Sequence, residues 1–189
     1  MELADFRLVV DVHLMGSVIC THAVWDGMRE RGYGRIVMTT SSSGLYGNFG
    51  QSNYGAAKMA LVGLMQTLAL EGAKTNIRVN CLAPTARTAM TEQLLPPQAL
   101  ELLKPEYVSP ALLALVSEDA PTNQIVGSGA GVTATSYVTL TPGKLLTGDD
   151  LSPEGIAANW DAITDRAGEI VPKTGSEQGM MASKALQGG

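Results

Sequence analysis

The apolar positions of the first 84 residues alternate between a helical period and short buried runs. Apolar residues recur at helical spacing over residues 4–28 and 52–74. Gly32 is expected to cap the end of the first helix, and Ser52 or Asn53 the start of the second. Each of these segments is followed by a short β-branched run, at residues 35–40 (RIVMTT) and 77–84 (IRVNCLAP), bounded by glycine, serine or proline. Alternation of helix and strand predicts an α/β fold with a parallel sheet and right-handed crossovers.

Beyond residue 84 the alternation of helical and strand-like segments is less regular. Residues 44–50 are predicted to form a glycine-rich loop, Thr91-Glu92 to start a short helix, and residues 110–117 to form another helix. Residues 124–126 and 133–140 are strand-like, and Ser152-Pro153-Glu154 is a typical helix start. Residues 171–189 contain few bulky apolar side chains, so we expect a flexible tail there.

Composition excludes several classes of function. The net charge of −5 and pI near 5.0 argue against a nucleic-acid partner. Two distant cysteines and two histidines predict neither a disulfide scaffold nor a metal site. Asp11 and His13 interrupt the N-terminal apolar run, so we expect no signal peptide, no membrane span and a cytoplasmic location.

The candidate chemistry begins with Tyr54 and Lys58, which share one helix face, one turn apart. A phenol is a poor base at neutral pH, and a nearby ammonium favours its ionised form. Tyr54 is therefore a candidate general acid or base for a carbinol oxygen. Ser41 stands thirteen residues earlier, at the end of a predicted strand, where ligands bind in open α/β sheets.

The order strand, Ser41, twelve residues, Tyr-x-x-x-Lys, helix, strand and Asn-x-x-Ala-Pro resembles the catalytic half of the short-chain dehydrogenase/reductase family. The resemblance implies a partial Rossmann-like, doubly wound parallel sheet over residues 1–170, the C-terminal half of such a domain. It also implies that Tyr54 transfers the proton, that Lys58 holds the nicotinamide ribose, and that Ser41 orients the substrate oxygen.

The same resemblance implies NAD or NADP as the cofactor, with NAD favoured. The cofactor-binding candidates are Thr39, Tyr54, Lys58, Pro84, Thr85 and Thr88. The family's glycine-rich phosphate-binding loop is missing from this sequence, so we expect these 189 residues to bind NAD weakly or not at all. The substrate-binding candidates are Ser41, Ser43, Gly47, Asn48 and Phe49, although glycines in this loop are equally consistent with simple turns.

His13 occupies the position where the family usually has a helix Asn that completes a proton relay. The stretch VHL-x-GS around it, with GNFGQSNYGAAK, LKPEYVSP and SPEGIAANW, resembles the (3R)-hydroxyacyl-CoA dehydrogenase domain of multifunctional β-oxidation enzymes. That resemblance implies an acyl-CoA-type substrate of open chain length. For His13, a relay or helix-bending role and a core histidine bonded to backbone both remain open.

Two interpretations of function follow. The first is an NAD(P)-dependent (3R)-3-hydroxyacyl-CoA dehydrogenase, with the activity of these 189 residues as a fragment left open. The second is a non-catalytic module that pairs with another subunit, because the helices over residues 4–28 and 52–74 have faces suited to helix packing in a homo-oligomer. A sequence whose true start lies upstream is a third possibility.

Overall fold

The computed structural model describes residues 2–88 and 96–187. It divides into two compact units, Met1–Ser136 and Tyr137–Gly189, and each is described by itself. The predicted boundary after residue 170 stays a prediction. The short helix predicted at Thr91-Glu92 lies outside the described residues.

The first unit opens with a long helical segment that changes its winding midway. Helix α1 (Leu3–Val10) leads into a π-helical turn (Asp11–Met15), and helix α2 (Gly16–Arg31) continues from it. The segment ends at Gly32, which adopts the left-handed conformation with φ of 61° and so caps the helix as predicted. The π turn was not predicted, because one extra residue in a turn hardly alters an apolar period.

By length and composition alone, residues 3–31 form a helix that could cross a membrane, so the prediction that no segment could do so is wrong. Asp11 and His13 do not interrupt the run enough, since a window of this length tolerates a few polar residues. A core helix or a signal sequence meets the same criteria, and this finding by itself assigns no location.

The sheet has four strands in the order β1 (Gly34–Thr39), β2 (Ile77–Pro84), β3 (Ile125–Gly129) and β4 (Val132–Ser136). Strands β1, β2 and β3 are parallel. The predicted parallel sheet is confirmed for these three strands, and the β3–β4 pair adds an antiparallel edge. Ala130 and Gly131 form the connection with φ of 50° and 80°, a tight hairpin turn that is too short for a crossover.

Helices cover both faces of this sheet, as the doubly wound fold requires. Helix α4 (Ser52–Gly72) packs on one face, and helix α6 (Ser109–Val116) lies against the other. Alternate residues of β2 supply the two cores: Val79 and Cys81 point toward α4, whereas Leu82 packs with α6. The sheet thereby places the carboxyl ends of β1 and β2 side by side.

Two short elements differ from the sequence predictions near this end. Helix α3 (Ser42–Tyr46), with the Ser41 side chain as its N-cap, includes the first three residues of the loop predicted at 44–50. Helix α4 begins after Gln51, which makes no side-chain cap, although Ser52 or Asn53 was expected to provide one. A further short helix, α5 (Pro97–Leu102), precedes α6.

In the second unit, helix α7 (Pro153–Ala158) starts where predicted. The Ser152 hydroxyl accepts a 3.1 Å hydrogen bond from the Gly155 N–H, the usual N-cap arrangement. Helices α8 (Trp160–Thr164) and α9 (Ser176–Gln187) follow, and α9 lies within the segment predicted to be a tail. Residues 137–140, predicted as strand, form only an isolated bridge between Leu140 and Ile170.

Candidate active site

Tyr54 and Lys58 lie one turn apart on α4 and contact each other as the sequence predicts. The Lys58 Nζ lies 5.6 Å from the centroid of the Tyr54 ring, within the range of a cation–π contact. The Tyr54 hydroxyl makes no hydrogen bond to any residue that the structure describes, so it is available to a ligand. The pair therefore presents a phenol and an ammonium together.

Lys58 is held in place by β1. Its Nζ donates a 2.7 Å hydrogen bond to the backbone carbonyl of Thr39, the last residue of that strand. In return, the buried Thr40 hydroxyl donates a 2.7 Å bond to the backbone carbonyl of Lys58. Two hydrogen bonds in opposite directions thus fix the strand end against the first turns of α4.

The amine of Lys58 is an unusual group for a core position. The residue is only 7% exposed, and burial lowers the pKa of its ammonium from the ordinary value. Burial also raises the pKa of the neighbouring Cys81 thiol to about 12, so Cys81 stays a thiol and offers no negative charge in return. One ammonium donor bonds Thr39, and the other two are available to polar groups of a ligand.

His13 comes into the same cluster through the π turn. Its ring meets the Tyr54 ring edge to face, with the centroids 5.1 Å apart. Burial, followed by the positive charge of Lys58, lowers the pKa of His13. The backbone carbonyl of His13 accepts a 2.9 Å hydrogen bond from the Ser17 hydroxyl. The imidazole is therefore neutral at pH 7, which is compatible with either role predicted for it.

Ser41 follows β1 after one residue, Thr40, and is the N-cap of α3. Its Oγ accepts a 3.2 Å hydrogen bond from the Ser43 N–H. Helix α3 lies so close to α4 that a Cβ on Gly44 would come within 2.8 Å of the Lys58 Cβ. This close approach brings the Ser41 segment next to the helix that carries Tyr54 and Lys58.

The cofactor candidates lie at adjacent strand ends. Thr39 ends β1 and pairs with Leu82 of β2, two residues before Pro84 and three before Thr85. Thr88 is exposed and has a contact of its own. To bind a nicotinamide riboside, a site needs hydrogen-bond donors for the ribose hydroxyls and an open surface beside them for the nicotinamide ring. The unused donors of Lys58 and the unpaired Tyr54 hydroxyl fit that requirement, at the sheet edge where such ligands bind.

The substrate candidates do not share one pocket. Ser43, Gly47 and Asn48 line a groove of about 320 Å³ beside the start of α4. Phe49 is fully exposed at the tip of the loop, and neither Phe49 nor Ser41 lines that groove. The assignment of these five residues to substrate stays a prediction.

Sequence reasoning missed two polar residues of the site. Thr40 was predicted only as the last residue of the strand at 35–40, and its bond to Lys58 depends on the packing of α4. Ser17 stands four residues after His13, the spacing at which a helical serine hydroxyl donates a hydrogen bond to a backbone carbonyl. This spacing could have indicated the contact between Ser17 and His13. Ser17 and His13 line a larger groove of about 600 Å³ along β1, together with Thr39 and Lys58.

Known proteins resemble this chain over most of its length. A family model described as "short chain dehydrogenase" matches residues 1–99. The chain is 43% identical over 173 residues to peroxisomal multifunctional enzyme type 2 of Mus musculus, which covers 90% of this chain and 24% of that protein. It is 45% identical over 173 residues to the peroxisomal hydratase-dehydrogenase-epimerase of Saccharomyces cerevisiae, covering 90% of this chain and 19% of that protein.

A solved structure shows the same fold. The full-length peroxisomal multifunctional enzyme type 2 of Drosophila melanogaster superposes with a TM-score of 0.86 at 36% identity. The match covers 97% of this chain and 34% of that enzyme. The chain thus spans about a fifth to a third of the length of these three relatives.

Proposed function

Because the chain belongs to the short-chain dehydrogenase family, we propose that it acts as an NAD(P)-dependent oxidoreductase on (3R)-3-hydroxyacyl-CoA. The single observation that carries the proposal is the position of Lys58. Its ammonium faces the Tyr54 ring at 5.6 Å and is fixed by the Thr39 carbonyl at 2.7 Å. This is the arrangement that keeps a phenol ready to exchange a proton with a carbinol.

The chain's own groups would divide the work as follows. Tyr54 takes the proton from the substrate hydroxyl, and the positive charge of Lys58 stabilises the negative charge on the phenol oxygen. Ser41 donates a hydrogen bond to the same substrate oxygen and thereby orients it. Lys58 also binds ribose hydroxyls with its two remaining donors. A bound nicotinamide supplies the hydride acceptor.

The substrate class is supported by the relatives. The yeast relative is named a hydratase-dehydrogenase-epimerase, and the sequence around His13 resembles the hydroxyacyl-CoA dehydrogenase domain of such enzymes. We propose the 3-hydroxyacyl thioester on this ground. The relatives named above are called peroxisomal, and the cytoplasmic location expected from the sequence stays a prediction that imaging of a tagged protein would test.

The test is formation of NADH or NADPH from (3R)-3-hydroxyacyl-CoA, followed by absorbance. Wild-type protein should reduce NAD or NADP when the cofactor is supplied in excess of the weak affinity expected for these residues. Tyr54→Phe should lower the rate at least about a hundredfold, since a positioned acid or base contributes that much. Tyr33→Phe is the matched control, because Tyr33 lies before β1, at the opposite end of the strand from Thr39. Absence of cofactor reduction by the wild-type chain would reject the dehydrogenase function for these 189 residues.

A second candidate function, a non-catalytic interaction module, is favoured by one feature of the surface. Leu8, Val12, Met15 and Ile19 are exposed at spacings of four, three and four residues, so they form an apolar stripe along the N-terminal helical segment. Helix α4 adds exposed Met59 and Leu70 on either side of Gly63. A second copy of the chain could cover both helices, which is the homo-oligomer predicted from the sequence.

Sedimentation velocity with the double variant Val12→Glu, Ile19→Glu separates these functions. If pairing is the function, the wild type sediments as an oligomer without reducing any cofactor, and the variant sediments as a monomer. If the chain is a dehydrogenase, the wild type also reduces the cofactor. A monomeric wild type would reject the interaction module.

A further inference from the structure

A second pocket opens on the α4 side of the sheet, between α3 and the β3–β4 hairpin. Its floor is a row of three residues that pair across β2, β3 and β4. Ala83 pairs with Gly127, and Gly127 pairs with Ala134. Because none of the three has a side chain larger than a methyl group, a space of about 320 Å³ remains above the sheet.

The walls of this pocket are fixed by short contacts. On one side, the Tyr46 hydroxyl at the end of α3 hydrogen-bonds the Ser136 hydroxyl of β4 at 2.5 Å. On the other side, Gly129 approaches the backbone carbonyl of Thr85 so closely that a Cβ on Gly129 would clash with it. These two contacts fix the positions of helix α3 and the β3–β4 hairpin on either side of the pocket.

The chemistry of the lining selects an uncharged ligand. Leu45, Leu103 and Val132 supply larger apolar surfaces, and hydroxyl groups supply the polar atoms. No residue that lines this pocket in the described part of the chain carries a charge. Phosphate or carboxylate groups would lose their hydration there without an ionic partner, whereas an alkyl chain would gain by burial.

The pocket begins next to the proposed reaction centre. Ser42 lines it, and Ser42 is the residue after Ser41, whose hydroxyl is proposed to hold the substrate oxygen. Thr85, a cofactor candidate, lines it from the end of β2. This adjacency places the pocket within reach of a substituent of the carbinol carbon.

We propose that the pocket floored by Ala83, Gly127 and Ala134 receives the alkyl chain of the acyl group and sets the preferred chain length. The inference rests on the proposed function for its substrate. Each methylene that leaves water favours binding about fourfold. A ten-carbon substrate should therefore be used with kcat/KM at least about tenfold above that of the four-carbon substrate, even if only part of the chain enters the pocket.

The test fills the floor from Ala134. Ala134→Leu should lower kcat/KM for the ten-carbon substrate at least about tenfold and leave the four-carbon value within about twofold, since the leucine displaces several methylenes. Ala134→Val should give an intermediate effect and guards against a variant that fails to fold. Thr135→Leu is the control, because the next residue of a strand points to the opposite face.

Direct binding separates the two hypotheses. Calorimetric titration of the same chains with decanoyl-CoA and butyryl-CoA requires no turnover. If the wild type prefers decanoyl-CoA and Ala134→Leu removes the preference, the pocket assignment holds even when no hydroxyacyl-CoA is oxidised, and only the proposed function fails. If both chains bind the two thioesters alike, or if Ala134→Leu leaves the chain-length preference unchanged, the pocket assignment is overturned while dehydrogenase activity can still stand.

Discussion

The Nζ of Lys58 is tied to the backbone carbonyl of Thr39 by a 2.7 Å hydrogen bond, which joins helix α4 to the end of strand β1. This bond sets the direction of the ammonium and keeps it beside the Tyr54 ring. Because Thr39 ends a parallel strand, the ammonium lies where open α/β sheets bind ligands. The hydrogen bond between Lys58 and Thr39 thus both joins α4 to β1 and positions the ammonium for the proposed chemistry.

The reverse bond, from the Thr40 hydroxyl to the carbonyl of Lys58, should contribute to stability. Thr40→Val keeps the shape of the side chain but removes a donor that is only 1% exposed. We expect the free energy of unfolding in urea to fall by about 1–3 kcal/mol. Thr40→Ser, which keeps the hydroxyl, should lose less than half as much. A loss in Thr40→Ser as large as that in Thr40→Val would show that the methyl group stabilises the fold as much as the bond does, against this expectation.

Lys58→Met should separate stability from function. Burial lowers the pKa of Lys58, which means that the fold penalises its charged form at neutral pH. Methionine removes that penalty, and the exposed Thr39 can be hydrated instead. We expect unfolding free energy at pH 7 to stay equal or to rise, while cofactor reduction falls at least about a hundredfold. Full activity in a folded Lys58→Met chain would contradict the assigned role.

His13 should make stability depend on pH in a defined direction. Its folded pKa lies below its ordinary value of 6.5, so the unfolded chain binds more protons as the pH falls through this window. The free energy of unfolding should therefore decrease on acidification from pH 7 through 6.5 and level off below the folded pKa. Urea unfolding of His13→Gln should show a smaller decrease over the same range. His22→Gln, a change at an exposed site, serves as the control.

Gly44 should be required for the close contact between α3 and α4. In Gly44→Ala the new Cβ would lie 2.8 Å from the Lys58 Cβ and 2.9 Å from the Met59 nitrogen. We expect a loss of about 1–3 kcal/mol in thermal or urea unfolding, because the helices must separate. Gly63 lies in helix α4 and faces open space, so Gly63→Ala should instead stabilise the fold by about 0.5–1 kcal/mol. Similar effects of both changes would refute the packing argument.

The elements that the sequence predicts correctly are those fixed by residues close together in the chain. Strand β2 spans Ile77–Pro84 as predicted, because a buried apolar run ends at a proline. Gly32 caps the first helical segment as predicted, since it adopts a positive φ. The neighbours Tyr54 and Lys58 were expected on one helix face, and their contact follows from helical geometry.

The features that were missed depend on packing between elements. Helix α3 forms in a serine- and glycine-rich stretch because it lies against α4 at Gly44. The antiparallel pairing of β4 depends on a two-residue turn at Ala130 and Gly131. No local pattern reveals that Ala83, Gly127 and Ala134 form one row, because strand register becomes visible only in the folded sheet.

The most direct test of the dehydrogenase hypothesis follows the hydrogen on C3 of the substrate. The purified protein is incubated with (3R)-3-hydroxyacyl-CoA carrying deuterium at C3 and with NAD or NADP, and the cofactor is analysed by mass spectrometry. The account predicts one deuterium in the reduced cofactor with wild-type protein and its near absence with Tyr54→Phe. Oxidation of the substrate with release of deuterium to water, or equal labelling by both proteins, would contradict it.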